Sequence, residues 1–284
     1  MGPIGVFDSG YGGLTILSGF LRQLPQYDYL YLGDNARTPY GNRSFETVYR
    51  FTSEAVRFLL NEGCPLIILA CNTASAKALR TIQQNDLARL DEMLGRLYTS
   101  EPDLPSRRVL GVLRPTAEAV GQLTRSRHVG LLATPGTVQS GSYPIEIHKL
   151  YPDIHLTAKA CPMWVPLVEN GETGSEGAAW FVQKYLSELF EEDPLIDTLV
   201  LGCTHYPLLL EQIKKFIPPH VTVVSQSHYV SEQLESYLQR HPHIETLCSK
   251  NGTTRYLTTE ATGKFEEMAS IFTKRPIQAR QVAL

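Results

Sequence analysis

Two stretches of this sequence, far apart along the chain, repeat one pattern. In each, a short apolar run (residues 65–69 and 198–201) leads to a cysteine, a small polar residue and the expected start of a helix. An apolar run of this length, bounded by turn residues, is typical of a buried strand. Cys71 and Cys203 are therefore expected at the carboxyl ends of strands, where open α/β sheets bind ligands. Two such strand ends predict two half-sites that face one another.

Strands alternate with helices along the chain, which indicates an α/β fold with mostly parallel sheets. The order of features also repeats, since a strand ending before Asp8 precedes the Cys71 strand and a strand ending before Thr134 precedes the Cys203 strand. We therefore predict two pseudo-symmetric α/β domains that face a shared cleft, with the tail returning to the first. The predicted domains comprise residues 1–114 with 228–284, and residues 115–227.

Composition and charge limit the classes of partner and compartment. The formal net charge is -3, so no basic excess exists to neutralise nucleic-acid phosphates. The five cysteines are odd in number and show no C-x-x-C spacing, which argues against a disulfide framework and predicts a reducing cytoplasm. No signal peptide is predicted, and no apolar run approaches the roughly 20 residues of a membrane span.

Four local predictions bear on the site and its surroundings. Ser44 is expected to cap a helix over 45–61, and the helix after Thr134 is expected to break near Pro144. Residues 161–169 are predicted to form an apolar loop that ends on the carboxylate of Glu169. Residues 85–106 are predicted to form an excursion, a surface helix followed by a loop.

The chemistry is expected at two of the five thiols. A free thiol has a pKa of about 8.5, and a helix N-terminus lowers it by favouring the thiolate. Because Cys71 and Cys203 each precede a predicted helix in matching polar surroundings, we expect them to be the reactive pair. The remaining cysteines (Cys64, Cys161 and Cys248) are interpreted as small buried apolar residues.

Three kinds of chemistry could use two thiols from opposite halves of a cleft. A redox pair usually carries C-x-x-C, and His205 at two residues from Cys203 matches no recognised metal-ligand spacing, so no metal site is predicted. The third kind is two-base proton chemistry, in which one thiolate removes a proton from a carbon and the other thiol returns one on the opposite face. No motif suggests a bound cofactor.

Five blocks of residues, taken together and in order, resemble bacterial glutamate racemases of the aspartate/glutamate racemase superfamily. The stretch from Thr204 to Pro207 resembles the glutamate branch of that superfamily. The blocks are residues 7–10 with Gly12 and Gly13, 39–41, 70–75, 165–169 and 202–207.

The resemblance implies a role for each matched residue. Cys71 would act on the D enantiomer with help from Asp8, and Cys203 on the L enantiomer with help from Glu169 and His205. The residues implied in holding glutamate are Asp8, Ser9, Pro39, Tyr40, Gly41, Asn72, Thr73, Thr134, Thr204 and His205. The family needs neither pyridoxal phosphate nor a metal, and its product, D-glutamate, feeds peptidoglycan synthesis. A homodimer is left open, and neither nucleic acid nor membrane is an expected partner.

Two other classes of protein account for part of the sequence. A two-lobed amino-acid-binding module explains the cleft without the paired cysteines, and a thiol oxidoreductase explains the cysteines without Asp8, Glu169 and His205.

The chain departs from the family at residues 223–227 and in a longer excursion at 85–106. These departures bear on the packing of the tail, on any effector pocket and on the dimer arrangement.

Overall fold

The computed structural model of this chain describes residues 1–95 and 107–284, and its described strands form two parallel sheets. The first sheet has the order β10-β9-β2-β1-β3-β4 and the second the order β6-β5-β7-β8. The strands are β1 (Ile4–Asp8), β2 (Tyr29–Gly33), β3 (Leu66–Leu69), β4 (Arg108–Gly111), β5 (His128–Ala133), β6 (His155–Ala160), β7 (Thr198–Gly202), β8 (Thr222–Val224), β9 (Thr254–Thr258) and β10 (Ala279–Gln281).

At least one helix connects each pair of consecutive strands, as parallel pairing requires. They are α1 (Gly13–Gln23), α2 (Phe45–Asn61), α3 (Asn72–Lys77), α4 (Leu79–Thr81), α5 (Leu87–Met93), α6 (Leu113–Leu123), α7 (Pro135–Gln139), α8 (Ser142–Leu150), α9 (Trp164–Glu169), α10 (Glu176–Glu192), α11 (Leu210–Phe216), α12 (Gln226–Arg240), α13 (Pro242–Glu245) and α14 (Thr262–Thr273). Short 3-10 segments cover Asn35–Arg37 and Tyr206–Leu209, and a π-helical turn covers Ile82–Asp86.

The two sheets repeat one another. Strands β2-β1-β3-β4 of the first sheet have the same order as β6-β5-β7-β8 of the second, so β1 corresponds to β5 and β3 to β7. This repetition confirms the pseudo-symmetric α/β architecture. Strand β9 pairs in parallel with β2, so the tail does return to the first sheet. The domain boundaries at residues 114/115 and 227/228 stay a prediction.

One continuous core joins the two sheets. Alternate residues of β1 point to opposite faces, so Phe7 packs in a smaller cluster with α2, while Val6 belongs to a larger cluster. That larger cluster continues through α1 and α12 into the second sheet. Because α12 contacts both α1 and α6, it is a shared support for the two halves. Burial of these apolar faces is the main favourable term that holds the halves together.

Of three local predictions about helix ends and loops, one is confirmed and two are corrected by the structure. Ser44 caps α2 as expected, since its hydroxyl accepts the Thr47 N–H at 3.2 Å. The helix after Thr134 breaks at Gly141, whose φ is 66°, and not at Pro144, which lies in the first turn of α8 where a missing N–H does no harm. The stretch 161–169 is not all loop, because its last six residues form α9.

The predicted excursion at residues 85–106 is only partly visible. Its first part is helical, the end of the π-helical turn followed by α5, and residues 96–106 lie outside the described residues. No helix within 1–95 or 107–284 is both long and apolar enough to cross a membrane.

Candidate active site

The carboxyl ends of β1, β3, β5 and β7 meet at a narrow cavity of about 50 Å³ between the two sheets. Both predicted catalytic cysteines contribute to its wall, Cys71 from the first half and Cys203 from the second. The full wall is Ser9, Thr38, Pro39, Tyr40, Gly41, Asn42, Cys71, Asn72, Thr73, Thr134, Pro135, Cys161, Pro162, Val165, Pro166, Cys203, Thr204 and His205. The pseudo-symmetry of the chain thus brings the two thiols to one cavity, as the sequence pattern predicted.

Cys71 is the N-cap residue of α3 and is nearly completely buried. Its Sγ accepts a hydrogen bond from the Ala74 N–H at 3.4 Å and lies 3.4 Å from the Ser9 hydroxyl. Burial and the nearby Asp8 carboxylate raise the pKa of the Cys71 thiol to about 12, against the effect of these two hydrogen bonds. The expected lowering by the helix N-terminus is therefore outweighed here.

Asp8 ends β1 and is itself 1% exposed. Its Oδ2 accepts the N–H of Gly10 at 2.9 Å, which fixes the carboxylate in the turn after the strand. Burial raises the pKa of Asp8, although the nearby His205 and the backbone hydrogen bonds oppose that effect. Asp8 does not contribute to the cavity wall, but its carboxyl group interacts electrostatically with Cys71.

Cys203 belongs to a chain of three ionisable side chains. Its Sγ lies 3.9 Å from Nδ1 of His205, and Nε2 of the same ring lies 3.1 Å from Oε1 of Glu169. Burial opposes protonation of His205, but hydrogen bonds with Cys203 and Glu169 outweigh it and raise the pKa of the imidazole to about 10. His205 is therefore protonated at neutral pH and places a positive charge beside the Cys203 sulfur.

The predicted substrate-binding residues fall into two groups. Asp8 is not part of the wall, and the other nine line the cavity: Ser9, Pro39, Tyr40, Gly41, Asn72, Thr73, Thr134, Thr204 and His205. Hydroxyl groups from both halves meet there, since Thr73 Oγ1 lies 2.9 Å from Thr134 Oγ1 and 3.2 Å from Thr137 Oγ1. The cavity therefore offers mostly neutral hydrogen-bonding groups.

Two glycines allow the halves to approach closely. A Cβ atom on Gly12 would lie 2.2 Å from Thr204 Oγ1 and 2.5 Å from His205 Nδ1, so a side chain here would displace the Cys203 side of the site. A Cβ atom on Gly41 would lie 2.9 Å from Cβ of Thr134, and the Gly41 carbonyl accepts the Gly136 N–H at 2.7 Å. Both positions couple the first half to the second.

Asn72 is held in place by residues that were not predicted from the sequence. The Asn72 Nδ2 group donates to Oε1 of Gln226 at 2.6 Å, and its Oδ1 accepts from Gln226 Nε2 at 3.1 Å and from the Tyr143 hydroxyl at 2.7 Å. Gln226 also donates to Thr116 Oγ1 at 2.8 Å. In the sequence, Gln226 stood out only as part of the departure from the family at residues 223–227, and nothing singled out Tyr143.

The chain is similar over nearly its whole length to known proteins of one kind. Residues 15–228 match the family described as Asp/Glu/hydantoin racemase. A glutamate racemase of Geobacter metallireducens is 38% identical over 269 residues, which cover 95% of this chain and 92% of that protein. The crystal structure of a glutamate racemase isoform from Bacillus anthracis has a TM-score of 0.84 at 35% identity, covering 100% of this chain and 98% of that one. Glutamate racemase from Francisella tularensis, solved in complex with D-glutamate, has a TM-score of 0.82 at 32% identity, covering 99% and 97%.

Proposed function

This chain belongs to the Asp/Glu/hydantoin racemase family, and from that premise we propose that it interconverts L- and D-glutamate with two thiols and no bound cofactor. The observation that carries the proposal is the pair Cys71 and Cys203, which reach one narrow cavity from opposite halves of the chain. Glutamate is the proposed substrate because the similar proteins are glutamate racemases, one of them solved with D-glutamate.

In the L-to-D direction, the Cys203 thiolate removes the α-proton of L-glutamate. A new S–H bond forms as the Cα–H bond breaks, and the electron pair is left on Cα and shared with the α-carboxylate. The Cys71 thiol then gives its proton to the opposite face of Cα, and its own sulfur becomes a thiolate. The reverse direction exchanges the two roles, so no proton, electron or other group is gained or lost overall.

The charges of the free site suit the L-to-D direction. With a pKa of about 12, Cys71 holds its proton at neutral pH and is ready to act as the acid. His205, with a pKa of about 10, is a cation between Cys203 and the carboxylate of Glu169. Asp8 is proposed to assist the Cys71 thiol, and Glu169 with His205 the Cys203 thiol. Placing charge before the reaction avoids reorganisation at the moment of proton transfer.

The wall of the cavity suits a small zwitterion. Among its described residues there is no Lys or Arg, so hydroxyl groups, the amides of Asn42 and Asn72, and backbone N–H groups are proposed to hold the two carboxylates. A cavity of about 50 Å³ holds only a few water molecules. We therefore propose that the two halves separate to admit glutamate and close again around it, which excludes water from the carbanion.

The proposal has a direct test. Purified protein is added to L-glutamate or to D-glutamate without pyridoxal phosphate or metal, and the circular dichroism of the amino acid is followed. The signal of either enantiomer is expected to decay to zero, and in D₂O the product should carry deuterium at Cα. If glutamate stays optically pure while aspartate racemises, the substrate is wrong. If neither racemises, the proposed activity is wrong.

Three expectations accompany this activity. The proposed product, D-glutamate, would supply peptidoglycan synthesis, and the proposed compartment is the cytoplasm. A homodimer stays a prediction, and sedimentation velocity of the purified protein tests it.

A further inference from the structure

A second group of reactive side chains lies at the opposite edge of the second sheet from the thiols. His128 is the first residue of β5 and His155 the first residue of β6, and the parallel register makes them direct partners. Directly paired residues of adjacent strands point to the same face of a sheet. On that face lies Asp193, the C-cap residue that directly follows α10, a helix packed against β6.

We propose that His128, His155 and Asp193 bind a divalent transition-metal ion of the zinc type. One ligand atom from each of the three lies within 4.8 Å of the other two. Asp193 Oδ2 is 2.9 Å from Nδ1 of His128 and 3.9 Å from Nε2 of His155. Tetrahedral zinc with bonds of about 2.0 to 2.1 Å spaces its ligands roughly 3.3 Å apart. The three atoms therefore need to move by less than an ångström or so to surround an ion.

The carboxylate is already fixed for this role. Asp193 is 5% exposed, its Oδ1 accepts the Leu195 N–H at 3.1 Å, and its Oδ2 accepts the Thr157 hydroxyl at 3.2 Å. Outer hydrogen bonds of this kind orient the carboxylates that ligate metals.

Of the other two ligands, one imidazole is already held by Asp193 and the other is exposed to solvent. His128 already contacts Asp193, whereas the side chain of His155 is 65% exposed and is free to turn toward an ion. Within the described residues, the only ion-pair partners of Asp193 are these two imidazoles, so no lysine or arginine occupies the position of the metal.

The ligand set decides the class of ion. Two imidazoles with one carboxylate suit Zn²⁺, Co²⁺, Ni²⁺ or Cu²⁺, whereas Mg²⁺ and Ca²⁺ prefer oxygen ligands alone. Three protein ligands leave the remaining coordination to water. β5 spans six residues, so this site lies roughly 17 Å from the cavity, at about 3.3 Å per residue. A metal bound here would tie edge strand β6 and α10 to β5, and would stabilise the second half without touching the thiols.

The test must separate this site from the active-site thiols, which also bind soft metals. Zn²⁺ is titrated calorimetrically into the wild-type chain, into His155→Asn and into the matched control His228→Asn. His228 is a similarly exposed histidine that lies 3.3 Å from a carboxylate, that of Glu232, but it belongs to no cluster of three ligating side chains within residues 1–95 and 107–284. Co²⁺ is titrated in parallel, because histidine-carboxylate coordination gives visible d–d bands without the ultraviolet charge-transfer band of a cobalt–thiolate bond.

We expect the wild-type chain to bind one Zn²⁺ ion. The affinity for this ion should fall at least tenfold in His155→Asn and stay unchanged in His228→Asn. Saturating Zn²⁺ should raise the Tm of the wild type by about 5 °C and that of His155→Asn by much less. Equal affinity in the wild type and His155→Asn would overturn the proposal, as would a cobalt spectrum that shows thiolate coordination alone. Because His155 is exposed, its substitution is expected to leave the fold intact.

Discussion

The Sγ atom of Cys203 lies 3.9 Å from Nδ1 of His205, an imidazole that carries a proton at neutral pH. The corresponding thiol of the first half, Cys71, lies instead near the carboxylate of Asp8 and the hydroxyl of Ser9. A repeated backbone thus supplies two thiols in opposite electrostatic surroundings. In the site without substrate, the Cys71 thiol therefore keeps its proton, and a positively charged imidazole lies beside the Cys203 sulfur.

Replacing either thiol removes one of two obligatory proton carriers. Cys71→Ala and Cys203→Ala should each lower kcat for glutamate racemisation at least about a hundredfold, the usual contribution of a positioned acid or base. The serine variants should also be severely slowed, because a hydroxyl is a far weaker acid than a thiol. Circular dichroism of glutamate measures both directions.

The matched control is Cys248→Ala, which removes a buried thiol remote from the cavity wall and should leave kcat within a few-fold of wild type. Wild-type activity should persist in excess reductant and disappear on alkylation. An alanine variant of Cys71 or Cys203 that racemises at the wild-type rate, or activity that requires an oxidised pair, would refute the two-base mechanism.

Removing the ionisable groups of Glu169 or His205, which lie on the Cys203 side of the site, should change the pH dependence of racemisation as well as its rate. Glu169→Gln and His205→Asn should lower kcat/KM in both directions by the same factor, since the equilibrium constant between enantiomers is one. The limb of the kcat/KM profile that belongs to Cys203 should move. Glu172→Gln, an exposed neighbour of Glu169, is the control. Unchanged rates and profiles in both variants would remove Glu169 and His205 from the mechanism.

The raised pKa of His205 makes the fold less stable as the pH rises. The pKa of His205 is about 10 in the folded protein and 6.5 in the unfolded chain. The stabilisation that protonated His205 gives to the fold is therefore complete below pH 6.5 and is lost between pH 6.5 and 10. The free energy of unfolding should fall by at most about 1.4 kcal/mol per pH unit in that window. Urea unfolding at pH 6.5, 7.5 and 8.5 should show this slope in the wild type and a flatter one in His205→Asn. Equal slopes would contradict the charge assigned to His205, and His220→Asn controls for loss of an imidazole.

The close approach at Gly12 predicts a steric effect on the second half. The backbone of Gly12 has an ordinary φ of -58°, so alanine strains nothing locally, but its Cβ would collide with Thr204 and His205. Gly12→Ala should lower kcat/KM at least tenfold and destabilise the fold by about 1–3 kcal/mol. Gly263→Ala is the control, since no described atom lies within 4 Å of its added Cβ and alanine favours its helix. Equal activity in the two variants would show that the contact is dispensable.

The fold and the meeting of the two cysteines could be predicted from the sequence because they depend on local patterns, whereas the other predicted residues of the cavity wall came from the resemblance to glutamate racemases. Apolar runs of strand length and polar turns after them locate β1, β3, β5 and β7, and parallel pairing places their ends together. The repeated order of features was enough to infer two similar halves. The protonation state of Cys71 was not predictable, because a helix N-terminus is visible in a sequence whereas complete burial is not.

The other features that could not be predicted from the sequence depend on contacts between distant segments of the chain. His128, His155 and Asp193 have no ligand spacing along the chain, and only strand register and the end of α10 bring them together. Gln226 is 154 residues from Asn72, the side chain it holds. Such pairs follow from tertiary packing, which residue patterns do not encode locally.

Gln226 is expected to act as a positioning residue through Asn72. Both polar ends of the Asn72 amide contact Gln226, so Gln226→Leu leaves a buried amide short of two partners at a cost of about 1–3 kcal/mol. Because Asn72 follows Cys71 and lines the cavity, KM for glutamate should rise and kcat/KM fall about tenfold. Gln226→Glu keeps the acceptor for the Asn72 Nδ2 group and should recover part of the loss, a rescue that a merely structural role does not predict. Gln239→Leu, exposed on the same helix, should match the wild type. If Gln226→Leu loses stability while its KM and kcat stay at wild-type values, the network supports the fold and not the site.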